Sequence, residues 1–270
     1  MFSFPSTNKD LAVTEKTQHS LWTEKYHITS LLVNPLGRLG LYGALNLLQE
    51  TAWMHAENLG FGMKDMDKEG MFWVLTRQCL QMKRWPHFGE NIRVQTWLRP
   101  PEGAFVSREF AFINEQDEEI GLCTTSWLAL DRQTKKILPS QNLRDWNTLT
   151  HGRATGLTAE KIPVSGEYQK LAKYRVRNSD LDINQHVNNT KYAQWILDAI
   201  PYDLHKTLLL KSYSVNFLAE THLGDEVQVD MSCSSPTVET ASQGSTAYRG
   251  VRVGDGKILF TALLDWEKRA

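Results

Sequence analysis

The chain has 270 residues, of which 41% are hydrophobic and 23% charged, and its formal net charge is -1. This composition predicts one large or two ordinary domains with a buried core, and it argues against nucleic acid as a main partner. Three scattered cysteines without a Cys-x-x-Cys pair favour a reducing cytosol over a disulfide framework. The first residues lack the pattern of a signal peptide, and no apolar run is long enough to span a bilayer.

The first half of the chain predicts a strand, a long helix and four further strands. Leu45, Leu48, Ala52 and Ala56 recur at helical spacing, which predicts a helix over roughly 41–59. The expected strands around this helix cover residues 26–28, 71–84, 91–98, 106–114 and 121–131.

The second half repeats this order. Its predicted helix covers 189–200 and ends at Pro201. The expected strands cover residues 173–177, 211–219, 227–233, 247–253 and 257–266. A stretch with several Pro and Gly residues separates the halves and predicts a surface linker. We therefore expect an N-terminal repeat over 1–150, a linker over 151–170 and a C-terminal repeat over 171–270.

Both predicted helices are apolar on most of their faces, so each must be enclosed by other elements. An antiparallel sheet that curves around each helix would enclose it, and joining the two sheets edge to edge would cover free strand edges. The chain is thus predicted to be an α+β protein with a double hotdog arrangement. Each of its two tandem repeats would contain a long central helix wrapped by a curved antiparallel sheet.

The densest run of reactive side chains lies directly before the second predicted helix. Asp180, Asp182, Asn184 and His186 occur at every second position. In an extended backbone this spacing would aim all four side chains to one side. A carboxylate, an amide and an imidazole on one face are suited to hydrolysis.

Comparison of the two halves separates residues needed for the fold from residues needed for chemistry. Aligning the helices and the glycines of the two turns gives five pairs: Asn34 with Asp182, Leu36 with Asn184, Arg38 with His186, Trp85 with Glu220, and His87 with His222. Because a histidine occurs at the turn in both halves, His87 and His222 are interpreted as structural. The set of Asp, Asn, His and Glu occurs only in the second half, which predicts one active site there.

The segment from Asp182 to Tyr192, followed by Trp195-Ile196-Leu197, resembles the signature of acyl-acyl-carrier-protein thioesterases of the plant plastid type and their bacterial relatives. First-half segments 48–52, 73–77 and 94–97 support the resemblance, which covers most of the chain. It implies a double hotdog fold, hydrolysis of fatty acyl-acyl-carrier-protein in fatty acid biosynthesis, and a bacterial cytoplasmic location. We expect no cofactor and no metal.

The resemblance places the family's functional residues at Asp182, Asn184, His186 and Glu220. Many plant members have a cysteine after the glutamate, but this chain has Thr221, so a cysteine–histidine mechanism would lack its nucleophile.

Activation of water is the harder step of thioester hydrolysis, because a thiol has a pKa of about 8.5 and bulk water one of about 15.7. Glu220 or Asp182 is predicted to be the general base, and we favour Glu220. Asn184 would orient the water or the carbonyl, and His186 would protonate the departing sulfur. Backbone N–H groups of 187–189 are expected to stabilise the oxyanion. A covalent route through Asp182 stays open.

Each of these residues also has a plainer interpretation. Asp180 is suited to a turn, and Asn188 and Asn189 to capping the helix. Glu220 could be an ordinary charge at a strand end. A metal site made of Asp182, His186, Glu220 and His222 is disfavoured because these residues lack close ligand spacing in the sequence.

The acyl chain requires an apolar pocket. Trp53, Met54, Met71 and Trp73, on the first helix and the strand after it, are predicted to line this pocket. The alternative for each of them is an ordinary place in the core.

Acyl carrier protein is acidic, so its docking surface should be locally basic. Lys173, Arg175 and Arg177 alternate just before the catalytic stretch and share one face, which makes them the predicted docking residues. Residues 132–136 form a second basic turn, and either cluster could be only a solvated surface.

Other functions remain open at the level of sequence. The main alternative is an acyl-coenzyme A thioesterase, followed by a hotdog hydratase or dehydratase and a non-catalytic protein that binds acyl carrier protein. Because duplication already supplies a pair of hotdog units, a monomer and a homodimer are both reasonable.

Overall fold

A computed structural model describes residues 19–235 and 241–269. Its strands are β1 (Leu21–His27), β2 (Met71–Met82), β3 (Asn91–Leu98), β4 (Phe105–Ile113), β5 (Glu119–Asp131), β6 (Tyr168–Arg175), β7 (Leu208–Phe217), β8 (Glu226–Ser232), β9 (Gln243–Arg252) and β10 (Ile258–Lys268). Its α-helices are α1 (Leu41–Asn58), α2 (Met63–Lys68), α3 (Trp146–Leu149), α4 (Asn189–Ala199) and α5 (Tyr202–Thr207).

The ten strands form one antiparallel sheet in the order β1-β3-β4-β5-β2-β7-β10-β9-β8-β6. The second five strands repeat the order of the first five in reverse, so the two repeats are related by a pseudo-twofold axis. They meet where β2 pairs with β7, from Arg77 opposite Asn216 to Gln81 opposite Ser212. This pairing confirms the predicted joining of two sheets edge to edge.

The sheet encloses α1 and α4, which also contact each other. Leu45 and Leu48 of α1 and Tyr192 and Ile196 of α4 belong to one hydrophobic core cluster. Burying these apolar faces removes them from water, which is the main favourable term in folding. The double hotdog fold predicted from the sequence is confirmed.

The differences between predicted and observed elements have physical causes. The edge strands β1 and β6 each begin five residues earlier than predicted, because one face of an edge strand meets solvent and its polar residues weaken the apolar pattern. The helices α2, α3 and α5 were missed because helices of four to six residues are too short to show a helical period.

The segment between the repeats crosses the junction strand β7. The N–H of Ile162 donates to Asn216 Oδ1 at 2.7 Å, and Asn216 Nδ2 donates to the carbonyl oxygen of Glu160 at 2.9 Å. The domain limits drawn from the sequence stay a prediction. Among the described residues, no helix is both long enough and apolar enough to cross a membrane.

A buried cationic side chain lies beside α1 in the first repeat. Arg108 Nη1 donates to Nδ1 of His55 at 2.7 Å and to Thr96 Oγ1 at 3.3 Å, and His55 Nε2 donates to the carbonyl oxygen of His19 at 2.8 Å. Burial lowers the pKa of Arg108 to about 9. Burial, and then the charge of Arg108, lower the pKa of His55 to about 3, so this imidazole stays neutral in the folded protein.

This network predicts a loss of stability in acid. The pKa of His55 is about 3 in the folded protein and 6.5 in the unfolded reference. Below pH 6.5 the unfolded chain therefore binds a proton at His55 that the folded chain does not bind, which favours unfolding. Relative to a His55→Gln variant, the wild type should lose up to about 3 kcal/mol of unfolding free energy between about pH 7 and about pH 4. Urea unfolding at a series of pH values measures this difference. The exposed His27→Gln variant serves as the control, and equal pH profiles for wild type and His55→Gln would contradict the prediction.

Candidate active site

The residues before α4 form a turn and a tight loop. Asn178–Asp180 is a short 3-10 helix, and Leu181 pairs with Val187 in an antiparallel bridge. The N–H of Asp182 donates to the carbonyl oxygen of His186 at 2.8 Å, so the chain reverses direction between them. The prediction of an extended stretch is wrong, because a carboxylate that bonds nearby backbone N–H groups favours a turn.

Asp182 holds this loop from within. Its Oδ1 accepts hydrogen bonds from the N–H groups of Asn184, at 2.8 Å, and His186, at 3.3 Å. At the tip, Gln185 has a φ of 64°, in the left-handed region. The carboxylate of Asp182 therefore fixes the backbone that carries His186.

The first repeat contains the same loop with different side chains. Asn34 Oδ1 accepts from the N–H groups of Leu36, at 3.0 Å, and Arg38, at 3.3 Å. Gly37, at the position of Gln185, has a φ of 69°. Because a neutral amide holds the loop there, the geometry requires the oxygen acceptor and not its charge.

A second loop carries Glu220 and is joined to the first through the backbone. The N–H of Val187 donates to the carbonyl oxygen of Thr221 at 3.0 Å. From β9, Arg252 Nη2 donates to the carbonyl oxygen of Glu220 at 2.6 Å, and its Nε donates to Asp225 Oδ2 at 3.1 Å. The position of Glu220 is thus fixed through main-chain atoms, while its carboxylate is left for other contacts.

Three titratable side chains meet where the two loops touch. Glu220 Oε2 lies 3.8 Å from Nε2 of His186 and 3.8 Å from Nε2 of His222. The two imidazole rings are 5.1 Å apart at an angle of 74°. These side chains are 38% (His186), 58% (Glu220) and 52% (His222) exposed, so the cluster is open to solvent and to a substrate.

The four predicted catalytic residues have different places in this geometry. His186 and Glu220 are brought together. Asp182 supports the loop below them, and Asn184 lies at the exposed tip of the loop. Their catalytic roles stay predictions.

Sequence reasoning missed two residues at this site. His222 was interpreted as structural because His87 matches it in the first half, yet its ring contacts that of His186. Its spacing of two from Glu220 was the available signal, since alternate residues in an extended segment face the same way. Arg252 has no local signal, because it acts from a distant strand.

Thr221 is part of the core and not of the reacting cluster. It is 1% exposed, and the hydroxyl of Tyr192 donates to its Oγ1 at 3.0 Å. Burial raises the pKa of Tyr192 to about 12, so this hydroxyl keeps its proton. The side chain of Thr221 is thus buried in the core and does not face the cluster of His186, Glu220 and His222.

The interpretations of Asp180 and Asn188 as turn and cap residues are confirmed. Asp180 Oδ2 accepts from the N–H of Arg177 at 2.9 Å. Asn188 is the N-cap of α4, and its Oδ1 accepts from the N–H of Thr190 at 2.9 Å.

The expected oxyanion site at the start of α4 is wrong for two of its residues. The N–H of Val187 is bonded to Thr221, and the N–H of Asn188 donates to the carbonyl oxygen of Asp180 at 2.8 Å. Neither group is available to a developing oxyanion, because the loop itself uses both.

The predicted pocket residues lie in different surroundings. Trp53 and Met54 are each 41% exposed on α1. Met71 is 8% exposed and packs with Met66 of α2, and Trp73 packs partly buried against the same cluster. Their role in holding an acyl chain stays a prediction.

The predicted docking residues line a groove of about 340 Å³ next to the loop that carries His186. Lys173, Arg175 and Arg177 are exposed along β6 and the residues after it. The complete lining is Lys173, Tyr174, Arg175, Arg177, Ser179, Asp180, Lys191, Gln194, Trp195 and Asp198. Lys173 lies 3.7 Å from Glu226, but no carboxylate of the described residues comes within 4.0 Å of the guanidinium group of Arg175 or Arg177.

The charged side chains of the second basic turn, residues 132–136, already contact neighbouring residues of this chain. Arg132 forms an ion pair with Asp67. The charged groups of Arg132 and Lys135 also lie over the ring of Phe72, at 5.5 and 4.6 Å from its centre. These contacts make the groove beside β6 the better candidate for an acidic partner.

The fold and the site define a double hotdog protein whose exposed cluster of His186, Glu220 and His222 lies on its second repeat. The family model described as the acyl-ACP thioesterase N-terminal domain matches residues 19–142, and the model of the C-terminal domain matches residues 165–268. The chain therefore belongs to the acyl-ACP thioesterase family.

Among curated proteins, the chain is similar to chloroplastic plant thioesterases. It is 28% identical over 214 residues to an oleoyl-acyl carrier protein thioesterase of Coriandrum sativum, covering 72% of this chain and 57% of the relative. It is 25% identical over 251 residues to oleoyl-acyl carrier protein thioesterase 1 of Arabidopsis thaliana, covering 86% and 68%. The chain thus spans roughly half to two thirds of the length of such relatives.

Solved structures show the same fold. An acyl-ACP thioesterase from Bacteroides thetaiotaomicron matches with a TM-score of 0.81 at 24% identity, covering 92% of this chain and 98% of that one. The 12:0-ACP thioesterase from Umbellularia californica also has a TM-score of 0.81, at 20% identity, covering 94% and 96%.

The shared loop geometry predicts how Asp182 responds to substitution. Asp182→Asn should leave the thermal unfolding temperature nearly unchanged, because Asn34 makes the same two bonds in the first repeat. Asp182→Ala should lower the unfolding free energy by about 1–2 kcal/mol, because two N–H groups lose their acceptor. Thermal and urea unfolding measure both effects, and Asn34→Asp and Asn34→Ala are the matched controls. Equal losses in Asp182→Asn and Asp182→Ala would mean that the loop needs the charge.

Proposed function

We propose that the chain hydrolyses the thioester of fatty acyl-acyl carrier protein to a free fatty acid and the carrier thiol. The observation that carries this proposal is the pairing of His186 with Glu220 on two joined loops of the second repeat, within a chain of the acyl-ACP thioesterase family. The same loops of the first repeat carry Arg38 and Trp85 at these positions, so one active site per chain is expected.

In the proposed reaction, Glu220 is the general base. A water molecule gives a proton to its carboxylate as the water oxygen attacks the thioester carbon. The bond between carbon and sulfur then breaks, and the sulfur takes a proton from His186. Transfer of the proton held by Glu220 to His186, 3.8 Å away, returns both groups to their starting states. Since a thiol has a pKa of about 8.5, this departure requires only modest help.

Asp182 and Asn184 have supporting roles in this scheme. One oxygen of Asp182 already accepts two backbone N–H groups, which suits it to positioning His186 more than to taking a proton from water. Asn184, exposed beside the cluster, would orient the water or the carbonyl through its amide.

Comparison of two isosteric variants tests the choice of base. Glu220→Gln should lower turnover by about 10²–10⁴-fold, the usual worth of a general base. Asp182→Asn should cost much less, because it keeps both hydrogen bonds of the loop. Release of free thiol from a panel of acyl-carrier-protein and acyl-coenzyme A thioesters of varied chain length measures both variants and the carrier preference. Near-normal turnover in Glu220→Gln with a large loss in Asp182→Asn would reverse the two roles.

Acyl carrier protein is the proposed partner, and the groove beside β6 is its proposed docking surface. Arg175 and Arg177 are exposed, and among the described residues their guanidinium groups have no carboxylate partner. The groove they line includes Asp180, two residues before Asp182. An acidic carrier bound there would bring its acyl group close to His186.

Charge reversal tests the docking surface. Arg175→Glu combined with Arg177→Glu should raise the KM for acyl-carrier-protein substrate several-fold and make it more sensitive to salt, while kcat changes little. The matched control reverses Lys135 and Lys136 in the second basic turn and should leave KM unchanged. Steady-state kinetics at two ionic strengths measure both variants. A KM that rises only in the control would move the docking surface to that turn.

We also propose the bacterial cytoplasm as the location, which is consistent with three free cysteines among the described residues. Both a monomer and a homodimer remain compatible with this function, because one chain already supplies two hotdog units.

A further inference from the structure

We propose that His186, Glu220 and His222 together form a binding site for one divalent transition-metal ion, such as Zn²⁺, and that this ion reversibly inhibits the enzyme. Binding of the ion stands on the geometry alone. Only the inhibitory consequence rests on the proposed function.

The ligand atoms are already gathered. One nitrogen of each histidine and one oxygen of Glu220 lie within 4.8 Å of one another. The same Glu220 oxygen is 3.8 Å from both histidine nitrogens. Ligand atoms around a tetrahedral zinc ion, with bonds of about 2.0–2.2 Å, are separated by about 3.3–3.6 Å. The distances between the three ligand atoms would therefore have to shorten by at most about 1.5 Å.

The backbone is fixed while the side chains can make this adjustment. His186 is held by the loop of Asp182, and the N–H of His222 donates to Asp225 Oδ2 at 3.0 Å. All three side chains are partly exposed, so small rotations meet little packing resistance. Two imidazoles and one carboxylate are also a ligand set that zinc takes in proteins, with a fourth position left to water.

The surroundings favour an exchangeable ion over a permanent one. Tightly held metals have histidine ligands whose other ring nitrogen donates to a carboxylate or a carbonyl group. Among the described residues, neither His186 nor His222 makes such a hydrogen bond through its ring. The site should therefore bind and release its ion as the free concentration changes.

The first repeat is an internal control for this site. Its equivalent positions are occupied by Arg38, Trp85 and His87, which provide one metal ligand and one fixed positive charge. A cation should bind the second repeat only, with one ion per chain.

Inhibition is expected because the ion would bind two atoms that the proposed reaction uses, a carboxylate oxygen of Glu220 and a ring nitrogen of His186. Zinc would occupy the carboxylate of Glu220, which the proposed reaction needs to accept a proton from water. It would also occupy the nitrogen of His186, which is needed to protonate the sulfur. The ion and the thioester reaction therefore compete for the same two groups.

Isothermal titration of the tag-free, full-length protein with zinc chloride tests the site directly. We expect one ion per chain, and His222→Gln should weaken binding by at least about tenfold, because it removes one of three ligands. The matched control, His87→Gln, changes the equivalent histidine of the first repeat and should bind zinc as the wild type does. Absence of saturable binding, or equal affinity in wild type and His222→Gln, would overturn the proposal.

A parallel measurement of thiol release separates this inference from the proposed function. Zinc should inhibit the wild type over the concentration range in which it binds, a chelator should restore activity, and inhibition of His222→Gln should need at least about ten times more zinc. Activation by zinc would overturn the inhibitory role. If the protein binds zinc as expected but shows no thioester hydrolysis in zinc-free buffer, the proposed function is contradicted and the metal site still stands.

Discussion

The candidate site depends on one backbone hydrogen bond, from the N–H of Val187 to the carbonyl oxygen of Thr221. This bond joins the loop that carries His186 to the loop that carries Glu220. Leu39 and Pro86 make the same bond, at 2.7 Å, in the first repeat. The contact is therefore a property of the hotdog unit, on which the second repeat has placed reactive side chains.

The duplication shows that the loop of the candidate site is stabilised by backbone hydrogen bonds and not by its reactive side chains. In both repeats an oxygen at the first loop position, from Asn34 or Asp182, holds two backbone N–H groups. The scaffold thus tolerates very different side chains at the positions of Arg38 and His186. Because backbone hydrogen bonds position the two loops, the side chains of His186 and Glu220 need no burial to hold them in place and can be exposed.

The same cluster carries both proposals, thioester hydrolysis and metal binding. Each needs nitrogen and oxygen atoms that converge on a small volume open to solvent. Metal binding needs both histidine nitrogens unprotonated, whereas the proposed reaction needs a proton on His186. What distinguishes the two is the support around the histidines. A carboxylate or carbonyl partner on the far ring nitrogen would stabilise a resident metal. The histidines lack such a partner among the described residues, which is compatible with the proton transfers of the proposed reaction.

The sequence by itself determined the strands, both long helices, the tandem repeat and the family, because each is written in local periodicity or in contiguous motifs. It also identified His186 and Glu220 as members of one site. Only the tertiary structure decided that Asp182 supports a tight loop, that His222 joins the cluster and that Arg252 anchors Glu220. The reason is physical: these contacts join residues 32 to 36 positions apart, or depend on a backbone turn stabilised by a side chain, and neither leaves a periodic pattern in the chain.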